Sequence, residues 1–243
     1  MAPSQQDLAI GKSQALRMTF DKKLVIFDCD GVLIDSEIIA ARVEAEMAAE
    51  LGYKISPHEV CARFAGKPAR LVWESFCEEL DIEFTEELFQ NAQNRVHKAF
   101  ETELKIVDGI FEVFKALEIP FCVASTTRME SLRRNLQHVG LIDFLEPNIF
   151  SASQVERPKP WPDVFLFAAK NMGFEPKDCV VIEDSVAGVQ AAKAANMDVF
   201  GFCGASHIND GHDKILIENG ARSIIYNHGD TIEIISRISS KIN

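Results

Sequence analysis

Several absences narrow this chain before any motif is read. No lysine-rich or arginine-rich run occurs in its 243 residues, and the formal charge is 25 − 37 = −12. An acidic surface without a basic stripe argues against nucleic acid and anionic membranes as partners. No apolar run approaches the ~20 residues that span a bilayer. Residues 1–20 are of mixed polarity, lack the apolar segment of a secretory signal, and read as a loose tail. The six cysteines, at 29, 61, 77, 122, 179 and 203, form no Cys-x-x-Cys pair. No zinc ribbon or disulfide frame is indicated, and buried thiols in a reducing cytoplasm are expected. These readings describe a cytoplasmic protein, monomeric or weakly dimeric, whose partner is a small molecule. If that molecule is anionic, the positive charge that receives it must be made locally.

What is present is alternation. Short β-branched and aromatic runs at 24–28, 121–125, 149–151, 179–183, 198–203 and 223–226 read as strands. Helical patterns at 109–118, 129–139, 162–172, 186–196 and 211–219 lie between most of them. This order predicts an α/β fold, a doubly wound parallel sheet. Residues 37–105 depart from it, with helical patterns at 37–51, 57–65, 69–80 and 85–104 broken at Gly52, Ser56-Pro57, Gly66-Lys67-Pro68 and Asp81. An all-helical block placed directly after the first strand predicts a separate helical subdomain over 37–105. It would be inserted into a core formed by 21–36 and 106–243.

The most telling stretch is Asp28-Cys29-Asp30-Gly31, at the end of the apolar run Leu24-Val25-Ile26-Phe27. Side chains two apart on a strand share a face. Two carboxylates are therefore crowded at a strand's carboxyl end, where open α/β sheets bind ligands. Like charges that close need a shared proton or a cation. Three further segments end apolar runs with polar groups: Ser125-Thr126-Thr127, Lys159 within Arg157-Pro158-Lys159-Pro160, and Glu183-Asp184. A parallel sheet brings these ends to one edge. The sum is an inventory for a divalent metal and a phosphate: hard oxygens for Mg2+, with an ammonium and hydroxyls for phosphoryl oxygens. Each segment alone also has a plain reading, as a helix cap, a turn or a solvated loop. The four in this order are far more specific than any one of them.

In these segments the chain resembles the haloacid dehalogenase superfamily of phosphohydrolases. Phe27-Asp28-Cys29-Asp30-Gly31-Val32-Leu33-Ile34-Asp35-Ser36 matches its first signature, Lys159-Pro160-x-Pro162-Asp163 its lysine motif, and Ile182-Glu183-Asp184-Ser185-x-x-Gly188 its acidic motif. The resemblance covers about residues 23–226 and is strongest to the subgroup with a helical cap after the first motif, which includes sugar-phosphate phosphatases and β-phosphoglucomutase. It implies a Rossmann-like core with residues 37–105 as the cap. It also implies that Asp28 is the nucleophile forming an aspartyl-phosphate and that Asp30 is the general acid and base. Asp28, Asp184 and the Asp30 carbonyl would ligate Mg2+, with Glu183 as an additional or water-mediated ligand. Ser125 and Lys159 would hold the phosphoryl group, with Thr126 as a further donor where the subgroup often has Asn. Apart from the resemblance, the turn-like Gly66-Lys67-Pro68 between two of the insert's helices reads equally as a contact for a substrate's polar or anionic groups, through Gly66 and Lys67, and as a plain solvated turn. His207 and His212 lie in a loop after the fifth strand and need no role.

The function this implies is Mg2+-dependent hydrolysis of a small phosphorylated metabolite, a sugar phosphate first. Phosphoryl transfer of the β-phosphoglucomutase type is the alternative within the family. A receiver-like module or a catalytically silent phosphate-binding module is the alternative outside it.

Overall fold

The computed structural model describes residues 22–64 and 67–239, so the tail expected at 1–20 lies outside the described residues, as does Gly66. Six strands form one parallel sheet in the order β3-β2-β1-β4-β5-β6. They are β1 (Leu24–Phe27), β2 (Phe121–Ser125), β3 (Ile149–Ser151), β4 (Cys179–Glu183), β5 (Asp198–Phe202) and β6 (Ile224–Ile225). The chain winds from β1 to one side through β2 and β3, then returns to β4 on the other side. The order thus reverses at β1, which pairs with both β2 and β4.

All four β1 side chains are fully buried. Each contributes roughly 1.5–3 kcal/mol of hydrophobic stabilisation. Strand alternation splits them between two layers. Val25 and Phe27 face a core with Val123, Val180, Ile182 and Phe200. That core is covered by α5 (Ile110–Ala116), α6 (Met129–His138), the short α7 (Ile142–Leu145) and α11 (His228–Ser239). Leu24 and Ile26 face the opposite core with Cys122, Ala124, Cys179 and Val181. There the cover is α8 (Asp163–Met172), α9 (Val186–Ala194) and α10 (His212–Asn219).

The four helices that follow β1 carry a third apolar cluster of their own, centred on Trp73 and Phe76. They are α1 (Glu37–Glu50), α2 (Pro57–Phe64), α3 (Ala69–Leu80) and α4 (Glu86–Glu103). Thr85 caps α4 by accepting the Leu88 N–H at 3.1 Å, and Asp81 ends α3 in the left-handed region at φ 54°. The chain leaves the core and re-enters it along two adjacent segments, joined by the Ile34↔Ile106 bridge and by Asp35 N–H to the Lys105 carbonyl at 3.0 Å. Ile38, Ala99 and Phe100 pack against both the helical cluster and the sheet core.

The alternation of apolar runs and helical patterns therefore produces the expected doubly wound parallel sheet with a helical insert. Two elements escape that reading. Helix α7 spans only four residues, too few for a periodic pattern. Helix α11 follows the last expected strand and was not anticipated. It is anchored by His228, whose Nε2 donates to the Val32 carbonyl at 2.9 Å while its ring stacks on Phe202. Among the described residues, no helix is long and apolar enough to cross a membrane.

Candidate active site

The carboxyl ends of β1, β2 and β4 meet where the strand order reverses, the crevice in which open α/β sheets bind ligands. Asp28 is the first residue beyond β1, and its N–H still donates to the Ile182 carbonyl of β4 at 2.9 Å. Glu183 ends β4 and Asp184 follows it. Oxygens from Asp28, Glu183 and Asp184 lie within 4.8 Å of one another, and all three residues are buried. At that separation two full charges repel by at least about 3 kcal/mol even with an effective dielectric of 20.

Lys159 offsets part of this. Its Nζ donates to Asp28 Oδ1 at 2.5 Å and to Glu183 Oε1 at 2.9 Å, and it sits over the Phe165 ring at 4.7 Å. Burial by itself would lower the Lys159 pKa, but Asp28 and Glu183 hold it above the ordinary lysine range. One ammonium does not balance three carboxylates. Burial pushes Asp28 well up, with Lys159 opposing and Glu183 and Asp184 adding to the rise. Burial, then Glu183, pushes Asp184 up in the same way. A buried set of hard carboxylate oxygens short of positive charge fits a divalent cation.

Asp30 points elsewhere, toward hydroxyls. Ser36 Oγ donates to its Oδ1 at 2.7 Å. Thr127 Oγ1 and Ser125 Oγ donate to its Oδ2 at 2.7 Å and 3.3 Å. Ser36 occupies the cap position of α1 but makes no side-chain cap bond there. Ser125 also accepts the Thr127 N–H at 3.0 Å, and Ser151 Oγ donates to the Thr127 carbonyl at 2.6 Å.

Two glycines let these segments approach. A Cβ on Gly188, in the first turn of α9, would lie 1.7 Å from Glu183 Oε1. Gly31, at φ +78°, would place a Cβ 2.1 Å from Asp184 Oδ2. Ser185 caps α9 by accepting the Gly188 N–H at 3.0 Å, and its own N–H donates to Glu183 Oε2 at 2.5 Å.

Of the residues singled out from the sequence, Asp28, Asp30, Ser125, Lys159 and Asp184 come together here, with Glu183 among them. Thr126 is exposed, and the hydroxyl that reaches Asp30 belongs to Thr127. Thr127 lies two residues beyond Ser125, the spacing that returns a side chain to the same face of an extended chain. Lys67 is exposed in the turn after α2, with its ammonium 5.3 Å from the Phe64 ring centroid. Gly66 is outside the described residues. Two residues given little weight in the sequence touch the site: His207 Nε2 lies 3.0 Å from Asp184 Oδ2, and His212 Nε2 donates to the Asp184 carbonyl at 2.6 Å.

Comparison with known proteins agrees with this geometry. The family model for haloacid dehalogenase-like hydrolases matches residues 22–196. A 6-phosphogluconate phosphatase of Escherichia coli K12 is 31% identical over 188 residues, covering 75% of this chain and 83% of the relative. A phosphorylated-carbohydrates phosphatase of Thermotoga maritima is 30% identical over 209 residues, covering 83% of this chain and 93% of the relative. Among solved structures, a haloacid dehalogenase-like protein of unknown function from Agrobacterium tumefaciens superposes with a TM-score of 0.83. It is 39% identical, over 89% of this chain and 98% of that one. An acidic pocket at the sheet's switch point, a lysine bridging two of its carboxylates and a helical insert after β1 thus have one common explanation: the chain belongs to the haloacid dehalogenase-like hydrolases and stands within them among phosphoric monoester hydrolases.

Proposed function

We propose that this enzyme hydrolyses a small phosphorylated carbohydrate in two steps through an aspartyl-phosphate at Asp28. The observation that carries the reading is the junction of Asp28 with Lys159 and Asp184, three segments distant in sequence, in one buried pocket. Relatives named for 6-phosphogluconate and for phosphorylated carbohydrates support the substrate class.

In the first step an Asp28 carboxylate oxygen attacks phosphorus in line with the ester bond. The substrate oxygen leaves and takes its proton from Asp30. In the second step Asp30 accepts a proton from water as the water attacks the same phosphorus. Asp28 and inorganic phosphate are released. Splitting the reaction in two replaces one difficult displacement by two easier ones, and one carboxyl serves as acid and then as base. The Ser36 and Thr127 hydroxyls orient Asp30 for both transfers. Lys159 opposes the rise in the Asp28 pKa and directs its carboxylate, and its remaining N–H faces charge that develops on the phosphoryl oxygens. Ser125 supplies a hydroxyl to the same group.

Mg2+ fits the carboxylate set, held by Asp28, Asp184 and the Asp30 carbonyl, with Glu183 direct or through water. Bound there, it would offset repulsion between an anionic nucleophile and an anionic substrate. The helices over 37–105 close above the pocket and keep bulk water from the aspartyl-phosphate.

Phosphate release from a panel of sugar phosphates and sugar-acid phosphates, with Mg2+ and with EDTA, tests the reading. Metal-dependent release from a subset of the panel is expected. Equal release in EDTA, or none from any phosphorylated carbohydrate, would contradict it.

A further inference from the structure

The loop between β5 and α10, residues 203–211, reaches three separate parts of the molecule. At its start, the Ser206 N–H donates to Asp35 Oδ1 at 3.0 Å, and the Ser206 hydroxyl donates to the other Asp35 oxygen. Asp35 is buried in the segment by which the chain leaves for the helical insert, and its own N–H bonds the returning segment at the Lys105 carbonyl. Farther along, Asn209 Nδ2 donates to the carbonyl of His58, in the first turn of α2, at 3.2 Å. Where the loop enters α10, His212 Nε2 donates to the Asp184 carbonyl at 2.6 Å. A carbonyl oxygen only accepts, so this ring nitrogen carries a proton whatever the other one does.

The loop is also braced within itself. The Ile208 N–H donates to the Ala205 carbonyl at 3.4 Å, and the His212 N–H to the Asn209 carbonyl at 3.2 Å. Gly211, third in the turn from Asn209 to His212, has φ 86° and ψ −2°, as that position of a type II turn requires. The residue that reaches the insert and the residue that reaches Asp184 thus belong to one hydrogen-bonded turn. Such a turn passes a displacement from one end to the other, where a slack loop would absorb it.

The insert joins the core through two crossing segments, and pivoting about them moves α2 relative to the sheet. We propose that loop 203–211 is a strap that couples the seating of the insert to the main-chain placement of Asp184. With α2 seated, Asn209 holds the turn and His212 holds the Asp184 carbonyl. When α2 lifts, the turn loses that hold, and His212 loses its fixed seat opposite Asp184. Coupling between two sites is reciprocal, so freeing His212 must also loosen α2. The coupling stands on these contacts alone, whatever reaction the pocket performs.

The test is amide hydrogen exchange of the full chain, with no ion or substrate added, read by peptide mass spectrometry. N209A and N209D remove the donor to α2. H212F removes the donor to Asp184, and H212Q returns one. Peptides over 57–64 and 184–189 are compared, with β2 and β3 as the reference for overall stability. Losing one such hydrogen bond shifts a local opening equilibrium by about 3–10-fold. In the Asn209 variants, exchange should quicken by about 3–10-fold over 57–64 and over 184–189 alike. H212F should quicken the same two stretches, and H212Q should stay within about 1.5-fold of the parent at both. Asn209 is only half-buried, so its variants keep the test open if H212F does not fold. A substitution that leaves the distant stretch at the parent rate would show two independent contacts and overturn the coupling. Equal acceleration in β2 and β3 would show a general loss of stability and overturn it too. So would H212Q behaving like H212F, which would assign the effect to packing of the ring.

Discussion

At the residue scale, Lys159 decides the electrostatics of the pocket. It touches two of three clustered carboxylates and is almost wholly shielded from solvent. Replacing it with methionine keeps the stem and removes the charge, which leaves Asp28 and Glu183 buried without the counter-charge they share. Breaking one side of a buried ion pair typically costs about 3–5 kcal/mol. The metal-free K159M protein should therefore lose stability of that order in urea denaturation, Mg2+ should restore part of it, and turnover should be lost. Unchanged stability would mean that the carboxylates are held neutral without the lysine. The residues at this scale were unevenly legible. Asp28 and Asp184 stand at the ends of apolar runs, and a parallel sheet gathers such ends, while Lys159 was legible from its proline-flanked motif. Thr127 shared its segment's signal but was not told apart from Thr126, and His207 carried none. Thr127 meets Asp30 across 97 positions of sequence, and His207 meets Asp184 from a loop with no periodic pattern. Only the packed sheet brings them together.

At the element scale, two helices bear on the pocket by different means. Helix α9 begins against Glu183, where Gly188 leaves no room for a side chain. G188A must push Glu183 away from Lys159 or shift the first turn of the helix. A destabilisation of about 1–3 kcal/mol is expected, read by urea denaturation. A neutral effect would show that Glu183 has another place to go. Helix α1 carries a buried acid, Glu44, whose pKa burial and the nearby Glu37 push up to about 8. A pKa raised in the folded state means that its contribution is complete below the unfolded value of about 4.5 and is lost as pH rises through about 8. E44Q removes this dependence. Its melting temperature should match the parent near about pH 5 and exceed it increasingly toward about pH 8.5, by a free energy on the order of 3 kcal/mol. Parallel melting curves across that range would refute the assignment. Helix α1 itself was expected from its pattern, but a charged residue among its buried positions was not. A pattern of residue types does not say which glutamate the neighbouring helices will cover.

At the scale of the whole molecule, the order of the chain explains the architecture. Strand-sized apolar runs separated by helical patterns leave a parallel sheet as the economical arrangement, and an uninterrupted helical block must leave that sheet and return to it. It does so along paired segments at Ile34 and Ile106, which keep the base of the insert beside the first motif. The strand order was not legible, because pairing is chosen by packing between segments rather than within them. Helix α11 was missed for a related reason: its anchor, His228, bonds the Val32 carbonyl 196 positions away. The outcome is a nucleophile candidate just beyond the strand where the order reverses, with β2 paired on one side of that strand and β4 on the other. The most direct measurement of the central claim is to quench the enzyme during turnover, reduce it with labelled borohydride and map the label by peptide mass spectrometry. An aspartyl-phosphate intermediate predicts label at Asp28, converted to homoserine, and none in a D28N control. Label at another residue, or none while phosphate is being released, would contradict it.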